Sequence, residues 1–458
     1  MAAGKGTRMK SKLPKVLHKL AGRALLGHVL LTAERLKPRS VVLITGHGAP
    51  EVINFCKDKY RDDGAFPIKT VRQEPQLGTG HAVQQAVPEL PDDGLTLVLS
   101  GDVPLTEVQT LQDLINLSGG HQMALLTLDI ADPTGYGRIV RDGESVSAIV
   151  EHKDASEAQR AIREIYSGIL VAPSKLLKKY LAQLDNNNAQ KEFYLTGVVQ
   201  HAVTDAQKVV ALKITDESQV AGVNSPAQLQ ELEREYQRRA AYRLMEQGVR
   251  IADAARFDLR GDLQCGQDVS IDVGCVFEGQ VKLADEVRIG AHCVLANCEI
   301  GAGAVIHPFT HIDGEKTGVR IGTGALVGPF ARLRPGAQLG DDVHIGNFVE
   351  VKNSTLAKGA KANHLAYLGD ATVGERVNYG AGSITANYDG ANKHRTVIEA
   401  DVHVGSNCVL VAPVTLGAGG TVGGGSTITK DTPAGALSVA RGKQVSIANW
   451  SRPVKKRS

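Results

Sequence analysis

The sequence predicts a doubly wound α/β domain followed by a left-handed parallel β-helix. Three observations point to this fold class. The chain has 458 residues, which is too long for one ordinary hydrophobic core. It combines 50 Gly with only 4% aromatic residues, a composition typical of many tight turns around a thin core. In its second half, aliphatic residues recur at every sixth position.

The six-residue period begins at about residue 265 and fits neither an α-helix nor an alternating strand. It is typical of a triangular coil of about 18 residues, in which each of three short strands points one aliphatic side chain inward. A Gly-rich β-sandwich is the alternative, but it would not keep this phase over five or six consecutive positions. The positions are Ile271, Phe277, Leu283, Ile289, Leu295; Ile321, Val327, Leu333, Leu339, Ile345, Val351; and Val404, Leu410, Leu416, Val422, Ile428.

The phase of the repeat slips at residues 313–318 and again at residues 387–395. The first segment reads as a loop. The second is polar, aromatic and basic, and it leaves the coil at a corner. Insertions on solenoids often have a function, because the stack positions them without needing them for its own core. We therefore expect a functional loop at 387–395, with an exposed loop without a role as the alternative.

In the first half, apolar runs at residues 41–44 and 95–99 end at glycine turns and predict buried parallel strands. Ligands bind beyond the carboxyl ends of the strands in such sheets. Asp102 follows the second run, where a carboxylate can hold Mg²⁺ against a nucleotide phosphate. A helix cap is the alternative interpretation of this lone Asp.

Other segments of the first half indicate the same phosphate chemistry. Residues 1–8, MAAGKGTR, form a glycine-rich loop, and Lys15 follows closely enough to reach the same phosphates. Residues 73–81, QEPQLGTGH, form a Gly/Thr turn suited to a base or ribose. Phosphate loops normally follow a buried strand, which would here lie upstream of Met1, so we expect the chain to be truncated at its N-terminus.

The composition shifts predict three regions: an α/β domain at 1–225, a charged linker helix at 226–250, and the β-helix with a C-terminal tail at 251–458. A coiled coil is the alternative for the linker, but the segment is too short for three or four heptads. We expect the basic ending, residues 452–457, to be a solvated tail.

Bulk charge and cysteine content restrict the class of protein. A net charge of +3 gives no argument for nucleic-acid binding. The six cysteines show neither CxxC nor a Cys/His metal spacing, and a disulfide framework is not expected in a chain of this length. We see no signal peptide and no run of 18 apolar residues, so we expect a cytoplasmic protein without a membrane span.

Ten segments, taken in order, resemble the family of bifunctional N-acetylglucosamine-1-phosphate uridyltransferase/glucosamine-1-phosphate acetyltransferases. The resemblance covers essentially the whole chain. Sugar nucleotidyltransferases in general share only the first half, and hexapeptide acyltransferases in general share only the second. The segments are MAAGKGTRM, LPKVL, QLGTGHA, GDVPL, DPTGYGRI, VEHKDA, PFARLRPGA, GNFVE, HLAYLGD and ANYDGANK.

The resemblance implies two reactions. The second domain would N-acetylate glucosamine 1-phosphate with acetyl-CoA. The first, a nucleotidyltransferase (pyrophosphorylase) domain, would transfer uridylyl from UTP to the N-acetylglucosamine 1-phosphate formed, releasing pyrophosphate with the help of Mg²⁺. The product feeds bacterial cell-wall and lipopolysaccharide synthesis. The resemblance also implies a homotrimer, because acetyltransferase sites of this kind form between neighbouring subunits.

For acetyl transfer the resemblance implies that His364 is the base and that Glu350 orients or polarises it. A base is needed because an ammonium is no nucleophile. Without the family match, a lone His in a turn is more often a surface residue. The implied sugar-phosphate ligands are Arg334, Lys352, Tyr367 and Asn378, and the implied acetyl-CoA ligands are Ala381, Asn387, Tyr388, Ser406, Gly424 and Arg441.

For uridylyl transfer the resemblance implies ligands in several separate segments of the first half. Asp102 and Asn224 would hold Mg²⁺, which neutralises the charge on the transferred phosphorus. The implied UTP and UDP-sugar ligands are Ala2, Ala3, Gly4, Arg8, Lys15, Gln73, Gly78, Thr79, Ser100, Gly101, Asp102, Gly137, Glu151, Tyr166 and Asn224.

The sequence departs from the family pattern only in the first half. The apolar strand before the glycine loop is absent, Tyr166 replaces a sugar-binding Asn, and Gly197 replaces an Asp. The alternative hypotheses are therefore an acetyltransferase with an impaired first domain and, from another class, a non-catalytic scaffold.

Overall fold

A computed structural model describes residues 1–59 and 67–455, which include all but the last three residues of the tail. The chain divides into two compact units, Met1–Tyr236 and Gln237–Ser458. The helix Pro226–Glu246 spans this division. Within the described residues no helix is both long enough and apolar enough to cross a bilayer.

The first unit alternates strands and helices. Its described strands are β1 (Lys19–Leu20), β2 (Arg23–Ala24), β3 (Val41–Thr45), β4 (Ile68–Arg72), β5 (Leu95–Val98), β6 (Met123–Asp129), β7 (Arg138–Asp142), β8 (Ser145–Val150), β9 (Glu164–Pro173) and β10 (Val209–Ile214). Its described helices are α1 (Leu25–Arg35), α2 (Ala49–Lys59), α3 (Thr79–Gln84), α4 (Val108–Ser118), α5 (Glu157–Arg160), α6 (Ser174–Leu181) and α7 (Gly197–Thr204), and α8 is Pro226–Glu246.

The main sheet of the first unit has the strand order β10-β6-β9-β7-β8. Strand β5 pairs with the C-terminal part of β9. Strand β6 is buried at every position except Asp129, because it lies between two neighbours and under helix α4. Its uninterrupted apolar sequence is typical of a central strand covered on both faces. Strands β3 and β4 form a separate parallel pair.

The prediction of two buried parallel strands is correct for β3 and wrong for β5. Strand β5 pairs antiparallel with β9, for example Leu97 with Val171. Strand β5 is only partly buried over most of its length, and β3 is partly buried at Val41 and Val42, because an apolar cavity of about 380 Å³ lies between the two strands. The run of apolar residues correctly marked a strand, but it did not determine the strand direction.

The first three residues lie between β3 and β5 and link the two sheets. The Met1 ammonium donates a hydrogen bond to the Leu99 carbonyl at 2.7 Å, and the Gly101 amide donates to the Met1 carbonyl at 2.8 Å. On the other side, the Ala2 amide donates to the Ile44 carbonyl at 2.8 Å. The glycine loop therefore begins at the carboxyl ends of two strands, where ligands of α/β sheets bind.

The second unit is a parallel β-solenoid with three faces, as the six-residue period predicts. Its strands are β11 (Arg250–Ile251), β12 (Phe257–Cys265), β13 (Ser270–Ile271), β14 (Cys275–Leu283), β15 (Arg288–Ile289), β16 (Val294–Ile300), β17 (Val305–Ile306), β18 (His311–Asp313), β19 (Val319–Ile321), β20 (Leu326–Val327), β21 (Arg332–Leu333), β22 (Gln338–Leu339), β23 (His344–Asn347), β24 (Glu350–Lys352), β25 (Thr355–Leu356), β26 (Lys361–His364), β27 (Tyr367–Gly369), β28 (Ala371–Val373), β29 (Asn378–Tyr379), β30 (Ile384–Ala386), β31 (Thr396–Ile398), β32 (His403–Val404), β33 (Val409–Val411), β34 (Val414–Leu416), β35 (Thr421–Val422), β36 (Thr427–Ile428) and β37 (Leu437–Ser438).

The three faces follow from the strand pairing. The first face is an 11-stranded sheet that includes β20, β23, β26 and β29. A 16-stranded sheet bends at β16 and supplies the second face, which includes β21, β24 and β27, and the third face, which includes β22, β25 and β28. Leu326 pairs with His344, and His344 with Lys361, so a coil takes about 18 residues.

The predicted inward positions form the core of the solenoid. All sixteen aliphatic and aromatic residues of the six-residue ladder are buried, with at most 5% of their surface exposed. Within each run, successive ladder residues point inward from successive faces, and the next coil covers them. The prediction of the solenoid is confirmed.

Residues in the left-handed region mark the three corners of the coil. The first corner, between the first and second faces, has Phe330, Phe348 and Leu365 at its tips. The second corner, between the second and third faces, has Asn353 and Asp370, and the insertion 387–395 leaves the coil there. The third corner includes Asp342, Arg376 and Asp401.

Candidate active sites

Lys15 lies directly against the glycine loop of the first unit. Gly6 has φ 60°, and a Cβ added there would lie 2.7 Å from the Lys15 Cβ, so a larger residue would displace the lysine. The Lys15 ammonium donates to a carboxylate oxygen of Asp102 and, at 3.0 Å, to the Asn224 amide oxygen. Three predicted ligands from distant parts of the sequence therefore meet beside the loop.

The same oxygens of Asp102 and Asn224 fit a hard divalent cation. They already surround the positive charge of Lys15, and carboxylate and amide oxygens are the ligands that Mg²⁺ takes. In the described part of the chain, no three His, Cys, Asp or Glu side chains cluster in a way that would hold a metal. A metal here would take its remaining ligands from phosphate and water.

The predicted base-binding turn is held rigidly beside the loop. The Gln73 side chain is buried and donates to the Gly78 carbonyl at 2.9 Å. Gly78 has φ 110°, and a Cβ there would lie 2.6 Å from the Phe193 carbonyl oxygen, so this position requires glycine. The Thr79 hydroxyl accepts a hydrogen bond from the Leu195 amide at 3.0 Å.

Gln76 is a residue of this turn that the sequence analysis did not single out. Its side-chain amide donates to the Ala3 carbonyl at 3.1 Å, so it links the turn to the glycine loop. In the sequence, only its position inside the QLGTGH segment could have indicated this role.

Gly137, Glu151 and Tyr166 lie together at a second edge of the unit. The Tyr166 amide donates to the Gly137 carbonyl at 2.9 Å, and a Cβ on Gly137 would lie 3.8 Å from the Glu151 carboxyl carbon. Desolvation raises the pKa of Glu151, although its carboxylate accepts a hydrogen bond from the Thr196 hydroxyl at 3.0 Å. This edge therefore presents a carboxyl group of reduced acidity.

Tyr166 packs its ring into the hydrophobic core, with 7% of its surface exposed. Burial and, next, the charge of Glu151 raise the pKa of its phenol. Its hydroxyl has no hydrogen-bond partner among the described residues. A buried hydroxyl without a partner costs free energy in the folded chain. Gly197 begins helix α7, where a Cβ would lie 2.8 Å from a methyl of Leu184.

The remaining predicted nucleotide ligands surround the same loop. Ala2 and Ala3 are buried, Gly4 has open space at its Cβ position, and Arg8 is exposed in the turn Thr7–Met9. Ser100 and Gly101 follow strand β5. A Cβ on Gly168 would lie 3.9 Å from the Ser100 hydroxyl, so Ser100 faces the strand that carries Tyr166.

In the second unit, three of the four predicted sugar-phosphate ligands, Arg334, Lys352 and Tyr367, lie on the second face of the solenoid. Glu350 pairs in register with Arg332 on one neighbouring strand and with Tyr367 on the other. Its carboxylate accepts a hydrogen bond from Arg334 at 2.8 Å. This contact with Glu350 raises the pKa of the Arg334 guanidinium.

Lys352 and Lys393 complete this cationic surface, and Lys393 was not predicted from the sequence. The adjacent Lys393 lowers the pKa of Lys352, with smaller effects from desolvation and from Arg334. Lys393 belongs to the insertion 387–395, whose basic composition was the available signal. Two ammonium groups and a guanidinium form a site for an anion such as phosphate.

His364 ends strand β26, and its imidazole Nδ1 lies 3.0 Å from the Asn347 amide oxygen on the preceding coil. An amide oxygen accepts the Nδ1 proton, which leaves Nε2 as the free basic nitrogen. The side chain that contacts His364 is therefore Asn347, whereas Glu350 contacts Arg334 and Arg332. Asn347 was not identified from the sequence.

The insertion 387–395 forms a compact hairpin fixed at its base. Asn387 is buried and donates to the Asp370 carboxylate, whose other oxygen accepts from Asn353. The Tyr388 hydroxyl donates to the Gly390 carbonyl at 2.6 Å, and Tyr388 is 62% exposed. The predicted acetyl-CoA ligands Asn387 and Tyr388 therefore lie at the second corner.

The other predicted acetyl-CoA ligands follow the first corner. Ala381, Ser406 and Gly424 lie next to its tips on successive coils, and the Asn407 amide donates to the Ala381 carbonyl at 2.7 Å. The Arg441 guanidinium donates to the Gly424 carbonyl at 2.7 Å. Asn378, by contrast, is exposed on the first face, away from Arg334 and Lys352.

An α/β unit with a glycine loop at the carboxyl ends of its strands, followed by a solenoid that carries an imidazole and a cationic cluster, is typical of a two-domain transferase. Residues 1–189 match the family model of the MobA-like NTP transferase domain. Residues 318–353 match that of the bacterial transferase hexapeptide, six repeats.

Curated relatives match the whole chain. "Bifunctional protein GlmU" of Polaromonas naphthalenivorans (strain CJ2) is 73% identical and covers 100% of this chain and 97% of the relative. The protein of the same name from Polaromonas sp. (strain JS666 / ATCC BAA-500) is 72% identical over 99% of this chain. That from Herminiimonas arsenicoxydans is 54% identical over 99%. The chain belongs to the family of bifunctional GlmU proteins.

This membership confirms the fold class and the prediction of a bifunctional enzyme with acetyltransferase and uridylyltransferase activities. It does not favour the acetyltransferase-only alternative, because the high identity extends through the first unit as well as the solenoid.

Proposed function

We propose that the solenoid N-acetylates glucosamine 1-phosphate with acetyl-CoA and that the first unit then couples the product to UTP, forming UDP-N-acetylglucosamine and pyrophosphate. The observation that carries the proposal is that the solenoid holds both an oriented imidazole, His364 against Asn347, and a cationic cluster of Arg334, Lys352 and Lys393. A base and an anion site suit a substrate that has both an amine and a phosphate.

In acetyl transfer, the free Nε2 of His364 takes a proton from the substrate amine as nitrogen attacks the thioester carbonyl of acetyl-CoA. The amide forms and coenzyme A leaves as the thiol. Arg334 and Lys352 hold the sugar phosphate, and Asn378 and Tyr367 position the sugar. Ala381, Asn387, Tyr388, Ser406, Gly424 and Arg441 hold acetyl-CoA.

In uridylyl transfer, the glycine loop and Lys15 bind the phosphates of UTP, with Arg8, Ser100 and Gly101 beside them. The turn with Gln73, Gly78 and Thr79 holds uracil. Gly137, Glu151 and Tyr166 hold the sugar. The phosphate of N-acetylglucosamine 1-phosphate attacks the α-phosphorus in line, and pyrophosphate leaves. When bound at Asp102 and Asn224, Mg²⁺ neutralises charge on the phosphates.

We further propose that the enzyme is a homotrimer in the bacterial cytoplasm. Its product would supply cell-wall and lipopolysaccharide synthesis.

Two variants test the proposal in the full chain. His364→Ala should lower the rate of acetyl transfer by about 10²–10⁴-fold, because the base is lost, and leave uridylyl transfer unchanged. Asp102→Asn should lower the rate of uridylyl transfer and leave acetyl transfer unchanged, since it removes a charged ligand of the cation. Each variant serves as the folding control for the other. Loss of both activities in either variant, or full acetyl transfer by His364→Ala, would contradict the assigned roles.

A further inference from the structure

Arg138 places a buried charge at the start of strand β7, next to the proposed sugar ligand Gly137. Only 1% of its surface is exposed. Burying a guanidinium is unfavourable unless its N–H groups find acceptors, and an apolar side chain of similar volume would fill the same space at lower cost. Packing alone therefore does not explain an arginine at this position.

The hydrogen bonds of Arg138 go to neutral acceptors in three separate segments. Its guanidinium donates to the Tyr136 carbonyl and, at 3.4 Å, to the Arg160 carbonyl at the end of helix α5. A third donor lies 3.1 Å from Nδ1 of His152. The planar guanidinium thus supplies directed donors to three parts of the chain at once.

A second arginine of the same strand shows the usual alternative. Arg141 donates to the Glu164 carboxylate at 2.7 and 2.6 Å, which is a paired arrangement of the kind that partly buried arginines favour. Within the described residues Arg138 has no such carboxylate partner. Its role therefore lies in the groups that it connects.

Two of these groups adjoin the proposed sugar ligands. The Tyr136 carbonyl belongs to the peptide bond that leads into Gly137, and His152 directly follows Glu151 in the chain. The guanidinium of Arg138 therefore joins the neighbour of one ligand to the neighbour of the other.

The third proposed sugar ligand, Tyr166, is attached to the same end of strand β7. Arg138 pairs in register with Ile165, and the Tyr166 amide donates to the Gly137 carbonyl at 2.9 Å. The three proposed ligands therefore all lie within one residue of Arg138 or of a residue that it contacts.

His152 is held at both its ring and its backbone. The ring nitrogen Nδ1 must be the acceptor, because a guanidinium can only donate, so the proton of the neutral ring is on Nε2. The His152 carbonyl accepts from the Arg160 guanidinium at 3.3 Å. Since the Arg160 carbonyl in turn accepts from Arg138, a closed ring of hydrogen bonds fixes the backbone directly after Glu151.

We propose that Arg138 is a positioning residue for uridylyl transfer, which holds Gly137 and Glu151 at the separation that the sugar requires. It acts through the Tyr136 carbonyl on one side and the His152 ring on the other. This inference rests on the proposed function, in which Gly137 and Glu151 bind the sugar of N-acetylglucosamine 1-phosphate. It assigns a role to a buried charge that the reaction steps themselves do not use.

Arg138→Lys tests the proposal, because lysine keeps the charge and lacks the planar set of donors. The KM for N-acetylglucosamine 1-phosphate should rise about 10–100-fold, since the ligands lose their spacing, while the KM for UTP stays within about twofold. Initial rates with each substrate varied in turn measure both constants. A rise in both constants together would show a general loss of structure and would overturn the proposal.

The matched control is Arg141→Lys, which makes the same replacement three residues along strand β7. Arg141 donates to Glu164 and to the Glu144 carbonyl, away from the neighbours of the sugar ligands. Both KM values should therefore equal those of the wild type. An unchanged KM for the sugar phosphate in Arg138→Lys, or an equal rise in both variants, would contradict the positioning role.

Two replacements of His152 test the same contact from its other side and decide the question even if Arg138→Lys does not fold. His152→Asn places an amide oxygen near the position of Nδ1 and keeps an acceptor, whereas His152→Leu has none. His152→Leu should raise the KM for the sugar phosphate about tenfold, and His152→Asn should restore most of the wild-type value. Equal KM values for the two variants would rule out positioning through this contact.

Glu151→Ala distinguishes failure of this inference from failure of the proposed function. If Glu151 binds the sugar, its removal should raise the KM for N-acetylglucosamine 1-phosphate. An unchanged KM in Glu151→Ala would refute the proposed sugar site. A raised KM in Glu151→Ala with an unchanged KM in Arg138→Lys would refute the positioning role alone.

Discussion

His364 and Asn347 occupy the same register position on neighbouring coils, so the solenoid itself fixes the distance between them. The Asn347 oxygen holds the ring in the tautomer with a free Nε2 and adds no negative charge. The register contact therefore orients the ring without placing a charge against it.

Asn347→Asp should move the acid limb of the pH–rate profile for acetyl transfer to higher pH. The new carboxylate favours the protonated ring, which cannot act as a base. Asn347→Leu should instead lower kcat about tenfold at all pH values, because the ring loses its orientation, with little change in KM. Steady-state rates between pH 5 and 9 distinguish the two effects. Identical profiles for both variants and the wild type would exclude a positioning role.

Some site residues could be identified from the sequence alone and others could not. His364 and Arg334 lie in contiguous segments that resemble a family. Asn347 was missed, because its contact depends on the coil register, which places residues about 17 positions apart side by side. Lys393 was missed, because the fold of the insertion 387–395 brings it to Lys352 in an earlier coil. Tyr166 was recognised as a departure, but only the structure reveals that its ring is buried while its hydroxyl lacks a partner among the described residues.

At the scale of elements, Asp370 holds the insertion 387–395 on the solenoid. Asp370 is 7% exposed, and its carboxylate accepts hydrogen bonds from the Asn353 and Asn387 side-chain amides. The Thr396 amide, where the chain re-enters the coil, donates to the Asp370 carbonyl at 3.2 Å. One residue thus connects the entry and exit of the loop with the preceding coil.

Asp370→Ala should destabilise the solenoid by about 1–3 kcal/mol, because it leaves the buried Asn387 amide without its acceptor. It should also raise the KM for acetyl-CoA, since Asn387 and Tyr388 are no longer held in place. Urea unfolding and acetyl-transfer kinetics measure these two effects. The control is Asp389→Ala, which alters the exposed tip of the same loop. It leaves the contacts of Asp370, where the loop joins the coil, in place. Equal effects of both changes on stability would contradict the role of Asp370.

The strands of the solenoid could be predicted from the sequence, whereas the direction of β5 in the first unit could not. In the solenoid, one aliphatic position in six determines which side chain points inward, and stacking leaves only one register, so the sequence was sufficient. In the first unit, the apolar run of β5 determines burial but not direction. Its antiparallel pairing with β9 depends on residues more than 70 positions away, such as Val171.

At the scale of the whole molecule, the two proposed sites draw their described side chains from separate units. The nucleotide site uses residues between Ala2 and Asn224, and the acetyl-transfer site uses residues from Arg334 onward. Each unit also has its own hydrophobic core, so loss of packing in one should leave the chemistry of the other intact.

Core truncations in the full chain should therefore separate the two activities. Leu125 in the first unit and Leu333 in the solenoid are both 0% exposed, and Leu→Ala at such positions costs about 2–5 kcal/mol. Leu125→Ala should lower the temperature of half-inactivation for uridylyl transfer by about 5–15 °C and leave that for acetyl transfer unchanged. Leu333→Ala should lower the temperature of half-inactivation for acetyl transfer and leave that for uridylyl transfer unchanged. Both activities are measured on the same heated sample, so that aggregation affects them equally. A parallel loss of both activities in either variant would show that the two units unfold as one cooperative structure.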